Sequence, residues 1–250
     1  MTLSLDKSRF GSTIMQEKNP GTKYTAGDLN AIIARLRDPE TGCPWDKVQT
    51  HQSIRMNFLE EAYEAVDALD LDDAHLLCEE LGDVLMQVVF HTCIETERGR
   101  FTWEDVCDGV CRKLIDRHPH IFGEETDPDG IKDWDTLKNK EKGRESLEQD
   151  LADVPRAMPS LMRAAKLQKR AEKHGRPVTA QPDGVTESAE RLNQSRDAAE
   201  AERASGDLLF AAVALARQAG VDPEQALQRR NEAFTGDAAR EPLPVGGTFK

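Results

Sequence analysis

The segment from Glu80 to Phe90 constrains the fold more than any other part of this sequence. At about 100° per residue, a helix here places Glu80 and Asp83 on the side that also carries Phe90. The helix is apolar nearly all round after Asp83, so both acids share a stripe with residues that favour burial. Carboxylates in such a place are strongly destabilising unless they are protonated, paired or bound to a metal.

A second group of acids, Glu60, Glu61 and Glu64, lies one predicted helix earlier. The three fall within an arc of roughly 100° opposite an apolar face, a pattern that is also typical of ordinary solvated surface. Few cations are near in sequence, because no lysine or arginine occurs between Arg55 and Arg98. A divalent metal site is therefore the better account of the two acidic groups together.

The ligand types indicate which metal to expect. All the candidates are carboxylates, with no cysteine and no Glu-x-x-His motif among them. This set suits a hard cation such as Mg²⁺, with Mn²⁺ as a second choice, rather than zinc. The missing histidine also disfavours a di-iron carboxylate bundle. Since Mg²⁺ in enzymes usually accompanies phosphate groups, the acids predict a phosphate-containing substrate.

Composition narrows the class of protein. A formal charge of −13 over 250 residues disfavours a general nucleic-acid-binding protein. No apolar run approaches the roughly 20 residues needed to cross a bilayer, and the start of the chain lacks the apolar core of a signal peptide. The five cysteines form no Cys-x-x-Cys pair and no even disulfide framework. We therefore expect a cytoplasmic protein with neither a membrane nor a nucleic-acid partner.

Helical periodicity runs through nearly the whole chain and predicts an all-α fold, because no convincing alternating strand pattern occurs. The predicted helices cover residues 28–37, 51–70, 73–98, 103–117, 131–145, 161–173, 184–203, 207–218 and 223–234. The expected organisation is a flexible N-terminus (1–24), a first helical domain (25–149), a linker (150–160), a second helical domain (161–235) and a flexible tail (236–250).

The two predicted domains are related by a repeat, since Gly82-Asp83 is echoed by Gly206-Asp207, each expected near the start of an apolar helix. The acids differ between the copies. In the second copy the positions of Glu60, Glu61, Glu64 and Glu80 hold Glu187, Ser188, Arg191 and Ala204. Two remaining carboxylates and an arginine make a poor metal site, so we predict that the second copy is structural or regulatory.

Several motifs occur in an order that is specific as a set: Leu36-Arg37-Asp38-Pro39, Gly42-Cys43-Pro44-Trp45-Asp46, the two acidic groups, and Arg117-His118-Pro119-His120-Ile121-Phe122. With them, roughly residues 25 to 235 resemble the MazG family of bacterial nucleoside triphosphate pyrophosphohydrolases. The resemblance implies tandem all-α MazG domains and Mg²⁺-dependent cleavage of NTPs and dNTPs to the monophosphate plus pyrophosphate, in control of the nucleotide pool. It also implies a homodimer with four-helix-bundle active sites, and a small GTPase as a possible partner.

The same resemblance assigns metal ligands and catalytic acids. The family's metal ligands correspond to Glu61, Glu64, Glu80 and Asp83. Glu60 is the neighbouring acid that could orient or deprotonate the attacking water.

Substrate-binding positions of the family correspond to Lys113, Arg117, Trp134 and Lys138. Lys113 and Arg117 would hold the triphosphate tail, and the alternative is a surface pair in salt bridges with neighbouring acids. Trp134 would stack on the nucleobase, with Lys138 beside it, and the alternative is simple packing.

Trp45 lies on a proline-containing loop, and we expect it to anchor that loop. His118 and His120 flank a proline at the end of a helix and receive no catalytic role. Two other functions stay open: a narrower hydrolase acting on one aberrant or deoxy nucleotide, and a nucleotide-sensing or partner-binding regulator with little turnover.

Overall fold

The computed structural model describes residues 23–123, 146–179 and 181–240, and every helix or strand assigned within them is a helix. This confirms the predicted all-α fold. None of the described helices combines the length and the apolar character needed to cross a bilayer. The chain divides into two compact units between residues 130 and 131. The predicted helix over residues 131–145 lies outside the described residues.

The first unit begins with four helices and a short fifth one. They are α1 (Ala26–Leu36), α2 (Arg55–Asp70), α3 (Ala74–Glu97), α4 (Trp103–Arg117) and α5 (Pro119–Phe122). The hydroxyl of Thr102 accepts a hydrogen bond from the Asp105 amide and so caps α4. Gly99 follows α3 with a φ of +66°, the left-handed conformation that ends a helix.

The core of the first unit lies along the second half of α3, against which α1, α2 and α4 pack. Its buried residues are Ile33, Ile54, Val89, Phe90, Cys93 and Ile94. Most of them come from α3, as the apolar run in the sequence predicts. Burial of this half of α3 holds its first half, which carries Glu80 and Asp83, alongside α2.

The loop between α1 and α2 is held by Arg37, of which only 6% is exposed. Its guanidinium donates to both carboxylate oxygens of Glu97 and to the main-chain oxygens of Asp46 and Gln49. The expectation that Trp45 anchors this loop is wrong, because 57% of Trp45 is exposed. The arginine provides the anchor instead, since one planar guanidinium satisfies several oxygens at once.

The second unit contains α6 (Leu147–Ala152), α7 (Ser160–Lys173), α8 (Pro182–Asn193), α9 (Ala198–Gln218) and α10 (Pro223–Arg240). The sequence pattern assigned residues 150–152 to a linker, but they end a short helix that begins with a capping box between Ser146 and Gln149. Asp150 is buried in this helix and ion-pairs with Arg170 of α7 at 3.1 Å. Short helices leave too little periodicity to be predicted.

Two further boundaries differ from the prediction. One helix was expected through residue 203, yet α8 ends at Asn193 and α9 begins at Ala198. The side chain of Asp197 caps α9 by accepting a hydrogen bond from the Glu200 amide. The last helix continues to Arg240, so residues 236–240 are helical and not part of a flexible tail.

The repeat predicted from the sequence is visible in the packing of the two units. In the first, α1 and α2 pack on α3, and in the second, α7 and α8 pack on α9. Gly82 and Gly206 each lie eight residues after the first residue of their helix. The sequence pattern placed the repeated Gly-Asp pairs near the start of a helix. They lie instead about two turns after the first residue of each helix.

Candidate metal centre

The hairpin of α2 and α3 brings together acids from both sequence motifs. Glu61 and Glu64 of α2 and Glu80 of α3 each offer a carboxylate oxygen, and these three atoms lie within 4.8 Å of one another. The turn between the two helices is closed by Asp73, whose side chain caps α3. Two helices thus present their acids at one place on the surface of the first unit.

Asp83 lies beside this group. Its negative charge raises the pKa of Glu61 and also that of Glu80. Glu60, the fifth acid of the prediction, is exposed and lies outside the group of three. The structure therefore brings together Glu61, Glu64 and Glu80, with Asp83 close by, and leaves Glu60 at the edge.

The electrostatics of the group are unfavourable without a cation. Burial is the largest cause of the raised pKa of Glu61, followed by the charge of Asp83. Burial also raises the pKa of Glu80, followed by the charges of Glu64 and Asp83. Within the described residues, none of these four acids takes part in an ion pair. Oxygen ligands that repel one another and lack a counter-charge fit a hard divalent cation.

Gln87 is a residue of this site that the sequence patterns did not single out. Its amide nitrogen donates to Glu61 Oε1 at 3.4 Å, and the residue is buried. Its amide oxygen is also buried and has no hydrogen-bond partner among the described residues. The signal in the sequence is a polar residue one turn after Asp83 in an otherwise apolar run.

The predicted substrate-binding residues are only partly described. Lys113 is exposed on α4, whereas Arg117, one turn later, is buried at the end of the same helix. Arg117 is thus not part of an open surface pair. His118 follows it with Nδ1 2.6 Å from the main-chain oxygen of Leu114, which places this histidine at the helix end. Trp134 and Lys138 lie outside the described residues.

The corresponding place in the second unit is occupied by an arginine. Arg191 of α8 lies 3.5 Å from the carboxylate of Asp207 and donates to the hydroxyl of buried Ser188 at 2.9 Å. Ala204 is buried at the position of Glu80, and Glu187 is exposed. A guanidinium therefore pairs with Asp207, one of the two carboxylates that remain in this copy.

Comparison with known proteins identifies the family of the chain. The MazG nucleotide pyrophosphohydrolase domain matches residues 49–122, which include both acidic motifs. The nucleoside triphosphate pyrophosphohydrolase of Escherichia coli (strain K12) is 42% identical over 217 residues, which cover 82% of each chain. The nucleoside triphosphate pyrophosphohydrolase/pyrophosphatase MazG of Thermotoga maritima is 41% identical over 211 residues, 83% of this chain and 81% of that one. The chain therefore belongs to the MazG family.

Proposed function

We propose that the acids of α2 and α3 form the active site of a Mg²⁺-dependent enzyme that converts NTPs and dNTPs to the monophosphate and pyrophosphate. As a MazG protein, the chain is a nucleoside triphosphate pyrophosphohydrolase. The assignment of the activity to the first unit rests on one observation: three carboxylate oxygens from two helices lie within 4.8 Å of one another, next to a buried amide.

Glu61, Glu64, Glu80 and Asp83 would hold the cation. Burial, followed by the charges of neighbouring carboxylates, raises the pKa of Glu61 and that of Glu80, and a bound divalent ion would offset this negative charge. When bound, Mg²⁺ neutralises the polyphosphate and makes water a better nucleophile, and Mn²⁺ suits the same oxygen ligands. The ligand chemistry also supports Mg²⁺ over zinc, because every proposed ligand is a carboxylate and none is a sulfur or an imidazole.

The remaining residues would orient the reactants for attack at the α-phosphorus. Glu60 is exposed beside the cluster, where a free carboxylate can accept a proton from the attacking water. Lys113, which is exposed, would hold the leaving pyrophosphate by charge-assisted hydrogen bonds, and Arg117, which is buried one turn later, would add its positive charge. Trp134 and Lys138 keep their proposed role at the nucleobase.

We also propose that the protein is a homodimer, as the resemblance implies. Each of α2, α3 and α4 exposes large apolar side chains within the described part of the first unit. They are Met56, Tyr63, Val66, Leu69, Leu81, Leu85, Val110, Leu114 and Ile115. Such a concentration of exposed apolar surface is typical of an interface, and a second copy would complete a four-helix bundle. Size-exclusion chromatography with light scattering tests this directly.

The cysteines bear on the cellular compartment of the protein. All five cysteines are free, which supports a reducing compartment and hence the cytoplasm.

The presence of Arg191 in the hairpin of the second unit supports a regulatory or partner-binding role for that half, such as contact with a small GTPase. A nucleotide sensor with little turnover is the second candidate for the whole protein.

The decisive experiment identifies the products. The purified protein is incubated with a panel of NTPs and dNTPs in Mg²⁺ and, as a matched control, in EDTA, and the products are separated by anion-exchange chromatography. We expect metal-dependent formation of monophosphate and pyrophosphate, which also ranks the substrates. Diphosphate plus phosphate would contradict attack at the α-phosphorus. Binding of Mg²⁺-nucleotide in calorimetry without products would favour the sensor.

A further inference from the structure

Gln87 occupies an unusual place for a glutamine. It lies one turn after Asp83 on α3, and only 6% of it is exposed. Its amide nitrogen reaches Glu61 Oε1 at 3.4 Å, a long hydrogen bond that ties α3 to α2. Its amide oxygen has no partner among the described residues, although a buried acceptor is destabilising when no donor meets it.

We propose that Gln87 is a positioning residue of the metal site. The amide N–H group fixes the orientation in which Glu61 faces Glu64 and Glu80. The amide oxygen accepts a hydrogen bond from a water in the hydration shell of the cation, since Mg²⁺ usually keeps several of its waters. Partners of this kind orient the residues that bind a metal and thereby raise its affinity. The inference rests on the proposed function, because it requires a cation at the cluster.

The second unit provides an internal comparison. Counting four residues from the aligned aspartate gives Gln87 after Asp83 in α3, but Ala211 after Asp207 in α9. Ser188 stands in the place of Glu61 there, so no carboxylate needs to be oriented. The amide and the carboxylate that it contacts are thus absent together from the hairpin in which an arginine replaces the metal site.

A role in packing alone makes a different prediction. Methionine has nearly the shape of glutamine and no hydrogen-bonding amide, so it fills the same buried space without an unpaired oxygen. If Gln87 served only to fill that space, Gln87→Met would fold at least as well as the wild type and bind metal equally well. If Gln87 positions Glu61, the variant keeps its fold and loses metal affinity.

The test measures Mn²⁺ binding to the full-length, metal-free protein by electron paramagnetic resonance of the free ion. We expect Gln87→Met to bind Mn²⁺ roughly 10- to 100-fold more weakly than the wild type, with unchanged helical content by circular dichroism. The matched control is Gln168→Met. Gln168 is fully buried on α7 and donates to the main-chain oxygen of Phe210, far from any proposed ligand in sequence. It should leave Mn²⁺ affinity unchanged.

Equal Mn²⁺ affinity in the wild type and Gln87→Met would overturn the role of Gln87 while the metal site stands. An absence of Mn²⁺ binding in the wild type would overturn the metal site itself, so the two failures are distinguishable. If the methionine variant does not fold, Gln87→Asn replaces it, because its amide is one methylene too short to reach Glu61. Wild-type affinity in a folded Gln87→Asn protein would also contradict the proposal.

Discussion

The hairpin of α2 and α3 and the hairpin of α8 and α9 share a packing arrangement but carry different charges. In the first, acids from both helices face one another, and no described cation pairs with them. In the second, Arg191 contacts both Asp207 and Ser188. Because both hairpins form the same helix pair, the fold does not require the acidic cluster. Side chains that repel one another and are dispensable for the fold are a sign of function.

The two hairpins also differ in whether a basic side chain lies beside their acids. The guanidinium of Arg191 is a permanent positive charge that is part of the chain, whereas no described lysine or arginine pairs with the acids of the first hairpin. The arginine of the second hairpin disfavours a metal cation there, because the two positive charges would repel each other. If the first hairpin binds a cation as proposed, its stability should depend on metal concentration.

The largest expected effect follows from removing a ligand of the first hairpin. Glu80→Ala and Asp83→Ala should each lower turnover on the order of 10³-fold, because a metal stabilises the transition state by several kcal/mol. Neither change should unfold α3, since loss of one like charge relieves repulsion. Pyrophosphate release measures the activity, and circular dichroism measures the fold.

The matched control is Glu79→Ala, which removes the same charge one residue away. Glu79 is exposed and lies outside the group of close carboxylates. Its loss should change turnover by only a small factor. Wild-type turnover in folded Glu80→Ala, or an equal loss in Glu79→Ala, would contradict the site assignment.

Transferring the charge arrangement of the second hairpin into the first sharpens the comparison. Glu64→Arg places an arginine at the position that Arg191 holds in α8, and it should abolish turnover. It should also raise the unfolding free energy of the metal-free protein by up to about 1 kcal/mol, the usual size of an exposed ion pair. Thermal melts in EDTA and in Mg²⁺ measure this. A melting temperature that still rises with Mg²⁺ would show that the cation binds elsewhere.

Each unit also has a buried carboxylate held by an arginine and a histidine. Hydrogen bonds from His51 and Arg100 lower the pKa of Glu95 from 4.5 to about 2. A lowered pKa means that Glu95 stabilises the fold above pH 4.5 and that this contribution is lost as the pH falls towards 2. Asp150 contacts Arg170 and His174 in the second unit.

Glu95→Gln should therefore melt at a lower temperature than the wild type at pH 7, and the difference should shrink as the pH is lowered from 4.5 towards 2. Asp150→Ala should destabilise the second unit by about 3 kcal/mol at pH 7, because it leaves Arg170, whose side chain is only 12% exposed, without its carboxylate. Melting curves from pH 7 to 2 test Glu95→Gln, and a melting curve at pH 7 tests Asp150→Ala. A gap between Glu95→Gln and wild type that is independent of pH would contradict the role of Glu95.

A feature of the fold could be predicted from the sequence when the residues that determine it lie close together in the chain. Thr102 and Gly99 are local signals, and the start of α4 and the end of α3 beside them lie within one residue of the predicted helices. The break before α9 was missed because Asp197 lies in a polar stretch that keeps a helical pattern on both sides. Trp45 was misjudged because the anchor of its loop, Arg37, belongs to another element.

In the candidate site too, some features could be predicted from the sequence and others could not. The acids of α3 were predictable because their spacing puts them on one side of an apolar helix that offers no cation. The position of Gln87 against Glu61 was not, because it depends on how α2 lies beside α3. The same holds for Arg191 and Asp207, whose contact joins two helices. Properties of one helix could be predicted, and contacts between helices needed the fold.

The smallest expected effect tests whether the second hairpin is silent. Asp207→Ala should change turnover by less than about twofold and the free energy of unfolding by less than about 1 kcal/mol, because both members of its ion pair with Arg191 are exposed. Ser188→Ala should likewise leave turnover unchanged, although it loses a hydrogen bond from Arg191. Both are compared with wild type by pyrophosphate release at saturating Mg²⁺. A tenfold loss of turnover in either variant would mean that the second unit supports the active site. The contacts of Arg191 with Asp207 and Ser188 would then be needed for activity.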